Sequence, residues 1–224
     1  MTLFPTRWPA LHPDRLQVYS LVTPNGKKVG VALEEMGLSY EAHRVSIGDG
    51  EQFDPEFIAI SPNSKIPAII DPDGPDGQPV AIFESGAILL YLARKSGKFG
   101  GDTELQQLQI QQWLFLQVAG VGPMFGQLGH FYKFAHGKTD TYGQERYRAE
   151  VERLLRVLDA RLSDREYLVD QYSIADMATM PWVTGLDFYG VREFLGLDRF
   201  TNVTAWVDRV TRRPAYQRGI QVCA

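Results

Sequence analysis

The 224-residue chain contains a single cysteine, Cys223, next to its C-terminus. One thiol makes no intrachain disulfide, no CxxC redox pair and no cysteine metal cluster. That scarcity fits a reducing compartment, and the terminal position reads as a mobile, incidental thiol rather than a nucleophile. A surplus of either charge is missing too: 23 Lys and Arg stand against 27 Asp and Glu, a net charge of −4. Neither half has the basic excess that phosphate-backbone binding needs, so no nucleic-acid partner is expected. No run approaches the roughly 18 apolar residues of a membrane span. The first 15 residues, with Pro5, Pro9 and Pro13, lack the apolar core of a signal peptide. A soluble, cytoplasmic protein without a membrane partner is the expectation. The usual catalytic templates are absent as well, with no P-loop, HExxH, GxSxG or EF-hand loop. Of the four histidines, His12, His43, His130 and His136, the last two lie six apart with no third ligand nearby. They read as polar residues of an aromatic loop, and no metal is expected.

What remains is ordinary globular material. Apolar residues are 44% and charged residues 22% of the chain, enough to bury a core without staples. At roughly 150 residues per domain, the length allows one large domain or two small ones. Residues 1–15 read as an extended arm, because each proline disfavours helix before it. Residues 16–21 alternate as a strand. Thr23 is a good N-cap and Pro24 suits a first helical position. Val29, Ala32, Leu33 and Met36 then share one helix face, and Gly37 supplies a stop. Val45 and Ile47 mark a second short strand, and 54–60 a poorly ordered or short-helical stretch. Residues 68–70 and 80–83 read as two strands joined by the dense turn chemistry of 71–79. A helix follows over 87–95. The order β-α-β-α-β-β-α is the thioredoxin-like arrangement, a parallel pair plus an antiparallel hairpin.

Beyond a glycine-rich linker no convincing strand appears. Residues 105–118 are helical, and Val151, Leu154, Leu155, Leu158 and Leu162 follow helical spacing. Ser173 and Asp176 form a capping box that opens a helix through Trp182, with a kink at Pro181. A last helix covers 204–211. The expected division is an arm over 1–15, a thioredoxin-like domain over 16–97, a linker over 98–103 and an all-helical domain over 104–224.

Three constellations carry chemistry. Pro67 enters a strand, and the Ile66–Pro67 bond is either an ordinary trans bond or a cis one that turns the Ile66 backbone outward to pair with an extended peptide. Glu84 and Ser85 stand at a helix N-terminus, where unpaired N–H groups and the dipole favour a carboxylate. Glu84 would hold an ammonium there and Ser85 would add a hydroxyl donor; a capped helix and nothing more is the plainer alternative. Thr23, Pro24 and Asn25 offer a hydroxyl and backbone N–H groups at another helix N-terminus, a place that stabilises a thiolate. The only protein thiol is far along the chain, so a thiol reacting at this turn comes with a ligand. A thiol peptide with an amino-acid head group, glutathione, suits all three.

The sequence also resembles a known family. Asn63-Ser-Lys-Ile-Pro-Ala68 and Phe83-Glu-Ser-Gly-Ala-Ile-Leu-Leu-Tyr-Leu92 resemble the glutathione-binding signature of cytosolic glutathione transferases, and Tyr172-Ser-Ile-Ala-Asp176 resembles the capping motif of their helical domain. Thr23-Pro-Asn-Gly26, Gly50-Glu-Gln-Phe53, Gln112-Trp-Leu-Phe115 and Gly122-Pro-Met-Phe-Gly-Gln127 resemble the Nu class, the YfcG- and Ure2-like glutathione-dependent disulfide-bond oxidoreductases. The likeness covers about residues 16–215. It implies glutathione-transferase architecture and a homodimer. It implies that Ile66, beside Pro67, pairs its backbone with the cysteinyl unit, that Glu84 binds the γ-glutamyl ammonium and Ser85 its carboxylate, and that Gln52 and Lys65 reach the glycyl end. Thr23 and Asn25 would face the sulfur, and Arg146 would reach the neighbouring subunit's site.

One departure is that no cysteine stands at this turn, and Tyr19 or Ser20, which are near it, can face the cleft only one at a time. The implied activity is disulfide-bond reduction by bound glutathione thiolate, with glutathione as substrate, one or two molecules per site, a small disulfide as the other substrate, glutathione disulfide as product and no metal. Conjugation of electrophiles by the same thiolate is the alternative, and a non-catalytic glutathione-binding regulatory module is the alternative of another class.

Overall fold

The computed structural model describes residues 4–135, 137 and 141–224. A central strand is wrapped on both faces, and β1 (Leu16–Ser20) is buried along its whole length. It pairs in parallel with β2 (Tyr40–Arg44) and antiparallel with β3 (Ala68–Asp71), which pairs antiparallel with β4 (Val80–Phe83), giving the order β2-β1-β3-β4. α1 (Pro24–Met36) connects the parallel pair, as a parallel crossover requires. The expected face of Val29, Ala32, Leu33 and Met36 is buried, and Gly37 ends the helix at φ 69°. The second strand lies earlier than Val45 and Ile47. As an edge strand it needs few apolar residues, so YEAHR carries little hydrophobic signal. α2 (Pro55–Ile60) is a capped short helix, with the Glu56 N–H donating to Asp54 Oδ1 at 2.9 Å. α3 (Ser85–Ser96) follows β4 directly. This is the thioredoxin-like βαβαββα order.

The second compact unit, residues 99–213, is all-helical in its described part. α4 (Glu104–Leu116) opens with a capping box between Thr103 and Gln106. Two wide five-residue turns, Gln117–Val121 and His130–Phe134, flank α5 (Gly122–Gly129). His130 therefore lies in helical backbone rather than in a loop, and His136 lies outside the described residues. Pro123 stands at the start of α5, directly after the wide turn Gln117–Val121. α6 (Tyr142–Arg161) buries Val151, Leu154, Leu155 and Leu158.

α7 (Ile174–Tyr189) runs beyond Trp182, with Pro181 inside it. Burial of Val183 and Leu186 offsets the bond that Pro181 removes. α8 (Arg192–Leu195) is one turn, and α9 (Thr201–Thr211) buries Trp206. No helix among the described residues is long and apolar enough to cross a membrane.

The chain's last segment returns to the sheet. α10 (Pro214–Gly219) packs on α1, and residues 214–224 form one compact unit with 1–98 rather than with the helices before them. A Cβ on Gly30 would collide with the Gly219 carbonyl oxygen, so this packing depends on bare backbone at the crossing. Cys223 is consequently buried, with Sγ 3.9 Å from the Val18 carbonyl oxygen. It is not a loose terminal thiol. The N-terminal arm is also tied down. Trp8 meets Tyr19 and Phe57 edge-on at 6.2 Å, its indole N–H donates to the Arg44 carbonyl at 3.0 Å, and Arg7 pairs with Glu51 and Asp54.

Candidate active site

β3 and β4 leave the sheet at the same end as the loop before Pro67 and the start of α3. There they enclose a pocket of about 300 Å³. Asn25, Lys65, Ile66, Pro67, Glu84 and Ser85 all line it. The Ile66–Pro67 peptide bond is cis. Glu84 is the N-cap of α3, makes no side-chain capping bond, and adopts φ 69°, ψ 113°. A non-glycine residue at positive φ is held there by its surroundings, a feature concentrated at functional sites. Its exposed carboxylate stands beside the buried Ser85 hydroxyl and the first-turn N–H groups of α3, which have no carbonyl one turn back to bond. A zwitterionic amino-acid head group meets both of its charges at this place.

The start of α1 supplies the second set of donors. Thr23 caps that helix, its Oγ1 accepting from the Gly26 N–H at 3.2 Å. A hydroxyl has one hydrogen and two lone pairs, so Thr23 can cap and still donate its hydrogen outward. Asn25 lies in the first turn of α1. Thr23 is half-buried and is not among the lining residues, whereas Asn25 is.

Two proposed contacts lie elsewhere. Gln52 sits in a 3-10 turn, Glu51–Phe53, outside the lining, with its Oε1 buried and without a hydrogen-bond partner. Arg146 is exposed on α6, in a different cleft of about 520 Å³ that it shares with Met124, Glu150, Arg153 and Arg156. Tyr19 belongs to the core, stacked on His43 at 4.7 Å, and burial pushes its phenol above the ordinary range. Burial likewise pushes the Cys223 thiol up to about 11. No cluster of three metal-ligating side chains occurs among the described residues.

Two contributors escaped the motif reading. Ser61, buried at the pocket, donates from Oγ to the Lys65 carbonyl at 2.7 Å and so fixes the loop that carries Lys65 and Ile66. Lys28, only 2% exposed, donates from Nζ to Ser85 Oγ at 3.2 Å. Lys28 precedes Val31 and Ala32 by three and four residues, which puts it on the buried stripe of α1, and that spacing is the signal that could have found it.

A thioredoxin-like unit followed by an all-helical unit is the architecture of the glutathione transferases. Family comparison agrees: residues 14–94 match the N-terminal domain of glutathione S-transferase, and residues 122–214 match its C-terminal domain. The chain belongs to the glutathione S-transferase family and is an enzyme of that family. It is 45% identical over 202 residues to the disulfide-bond oxidoreductase YfcG of Escherichia coli (strain K12), covering 89% of this chain and 92% of that one. A Pseudomonas putida glutathione transferase with one glutathione disulfide bound per subunit superposes with a TM-score of 0.95 at 50% identity, covering 96% and 95% of the two chains. A Burkholderia graminis glutathione transferase with two glutathione molecules bound per subunit gives 0.94 at 51% identity, covering 96% and 90%.

Proposed function

We propose that the protein reduces disulfides with glutathione, and that the reacting sulfur belongs to the bound glutathione. The observation that carries this reading is the isolation of the protein's own thiol. Cys223 is buried against β1 with its ionisation suppressed, while the pocket offers donors and no sulfur. Glu84 holds the γ-glutamyl ammonium, and Ser85 with the start of α3 holds its carboxylate. Ile66, beside Pro67, pairs its backbone with the cysteinyl unit, while Lys65 and Gln52 serve the glycyl end. The Thr23 hydroxyl and the Asn25 N–H face the sulfur.

A free thiol has a pKa of about 8.5. Lowering it by two units takes about 2.7 kcal/mol. Two donor bonds to a charged acceptor, at about 1.5–3 kcal/mol each, suffice. The thiolate attacks one sulfur of the substrate disulfide; that S–S bond breaks, a glutathionyl mixed disulfide forms, and the departing thiolate takes a proton from solvent. A second glutathione thiolate attacks the mixed disulfide, releasing the other substrate thiol and glutathione disulfide. Two glutathiones are oxidised and one disulfide is reduced. The relatives that hold two glutathiones or one glutathione disulfide per subunit support a site with room for two glutathionyl groups. In this reading the enzyme is a cytoplasmic homodimer, and Arg146 reaches the neighbouring subunit's site.

Steady-state reduction of hydroxyethyl disulfide by glutathione, measured beside conjugation of a chloronitrobenzene, tests the proposal. Disulfide turnover should far exceed conjugation. Strong conjugation with negligible disulfide turnover would make the protein a conjugating transferase instead, and binding without either turnover would make it a regulatory module.

A further inference from the structure

Ser85 is asked to donate to a carboxylate, yet a serine hydroxyl in isolation rotates freely and can accept as readily as it donates. Its neighbour removes that freedom. In its charged form Lys28 carries donors only, so in the 3.2 Å contact Ser85 Oγ is then the acceptor. The hydroxyl hydrogen is then directed away from Lys28. Ser85 lines the pocket whereas Lys28 does not, so the hydroxyl is the part of the pair that a ligand meets. The ammonium behind it is buried on α1, and the Glu84 charge acts on it from the junction of β4 and α3. The two charges are arranged in the order opposite to those of an amino-acid head group: Glu84 for its ammonium, and Lys28, through Ser85, for its carboxylate.

We propose that Lys28 is a positioning residue for the α-carboxylate of glutathione's γ-glutamyl unit, fixing Ser85 as a hydroxyl donor and placing a positive charge behind it. The inference rests on the assignment of Ser85 to that carboxylate. Burial lowers the Lys28 ammonium to about 7, so an incoming carboxylate also draws Lys28 into its charged form. Exposed lysines gain little from such pairing, but a buried cation is screened far less.

The experiment compares two ligands on three proteins. The ligands are glutathione and γ-aminobutyryl-cysteinylglycine, which keeps the amine, thiol and glycyl end but lacks the carboxylate in question. The proteins are wild type, Lys28→Met and Ser85→Ala, with thermal unfolding as the folding control. Lys28→Met should weaken glutathione binding about tenfold to a hundredfold, the worth of one hydrogen bond to a charged group. It should raise the KM for glutathione while leaving kcat at saturation within about twofold, and should leave the affinity for the analogue unchanged. Equal weakening of both ligands by Lys28→Met would overturn the proposal, leaving Lys28 a fold residue.

Ser85→Ala checks the underlying assignment separately: it too should weaken glutathione and spare the analogue, and if it does not, the carboxylate lies elsewhere and the proposal falls with that assignment. A measurement on wild-type protein needs no variant to fold. The ¹⁵N resonance of the Lys28 side chain should shift when glutathione is added and stay in place with the analogue; the same response to both ligands would contradict the proposal.

Discussion

At the start of α7, Asp176 is fully buried and accepts from the Leu168 and Ser173 N–H groups at 3.0 Å each and from the Trp206 indole at 2.9 Å, while the Ala175 N–H donates to Ser173 Oγ. At the start of α3, the N-cap Glu84 makes no side-chain capping bond and points its carboxylate to solvent, with Ser85 and the buried cation of Lys28 behind it. Both places begin with the same surplus of backbone donors and the same dipole. In α7 the chain supplies its own anion, and the helix end joins α9 to the loop before it. In α3 the chain's own carboxylate, Glu84, makes no capping bond to those donors. The helix end whose donors are met from within is structural, and the one without a side-chain cap, beside a buried cation, is where we propose a ligand's carboxylate binds.

Breaking the closed end should have the largest effect. Asp176→Ala strands several buried donors at once and should cost about 3 kcal/mol or more in denaturant unfolding, while the folded fraction keeps its affinity for glutathione. Loss of glutathione affinity in that fraction would blur the distinction between the two helix ends. Ser85→Ala should do the reverse: calorimetric titration should show glutathione bound about tenfold more weakly, with stability changed by about 1 kcal/mol. Thr23→Ala sharpens the contrast, because Thr23 caps α1 and we propose that its hydroxyl also serves the sulfur. It should cost about 1 kcal/mol of stability and lower disulfide turnover about tenfold. The smallest change is expected from Cys223→Ser, which should leave disulfide turnover intact. In the wild type, thiol-reagent labelling of Cys223 at mild alkaline pH should be slow until denaturant is added, since the thiol is buried and titrates near 11.

The sequence reading reached furthest where local chemistry and burial agree. The apolar face of α1, the leucine stripe of α6 and the capping box of α7 all follow from spacing that the structure uses. It lost the edge strand β2, whose residues need no apolar alternation, and the part of α7 beyond Trp182, where burial of Val183 and Leu186 carries the helix past Pro181. It placed 214–224 with the helices, because nothing local in Pro214 or Gly219 announces that Gly30 lies opposite. For the pocket, Asn25, Lys65, Ile66, Pro67, Glu84 and Ser85 were legible because they sit in short motifs. Lys28 was not, since a lysine in a polar dipeptide reads as solvated until the fold buries it.

In the proposed reaction the nucleophile is a glutathione sulfur ionised at the start of α1. Ultraviolet titration of the thiolate of protein-bound glutathione, in wild type and in Thr23→Ala, tests it most directly. The bound thiol should ionise about two units below its solution value of about 8.5, with part of that shift lost in Thr23→Ala. A bound thiol that titrates at its solution value in both proteins would contradict it.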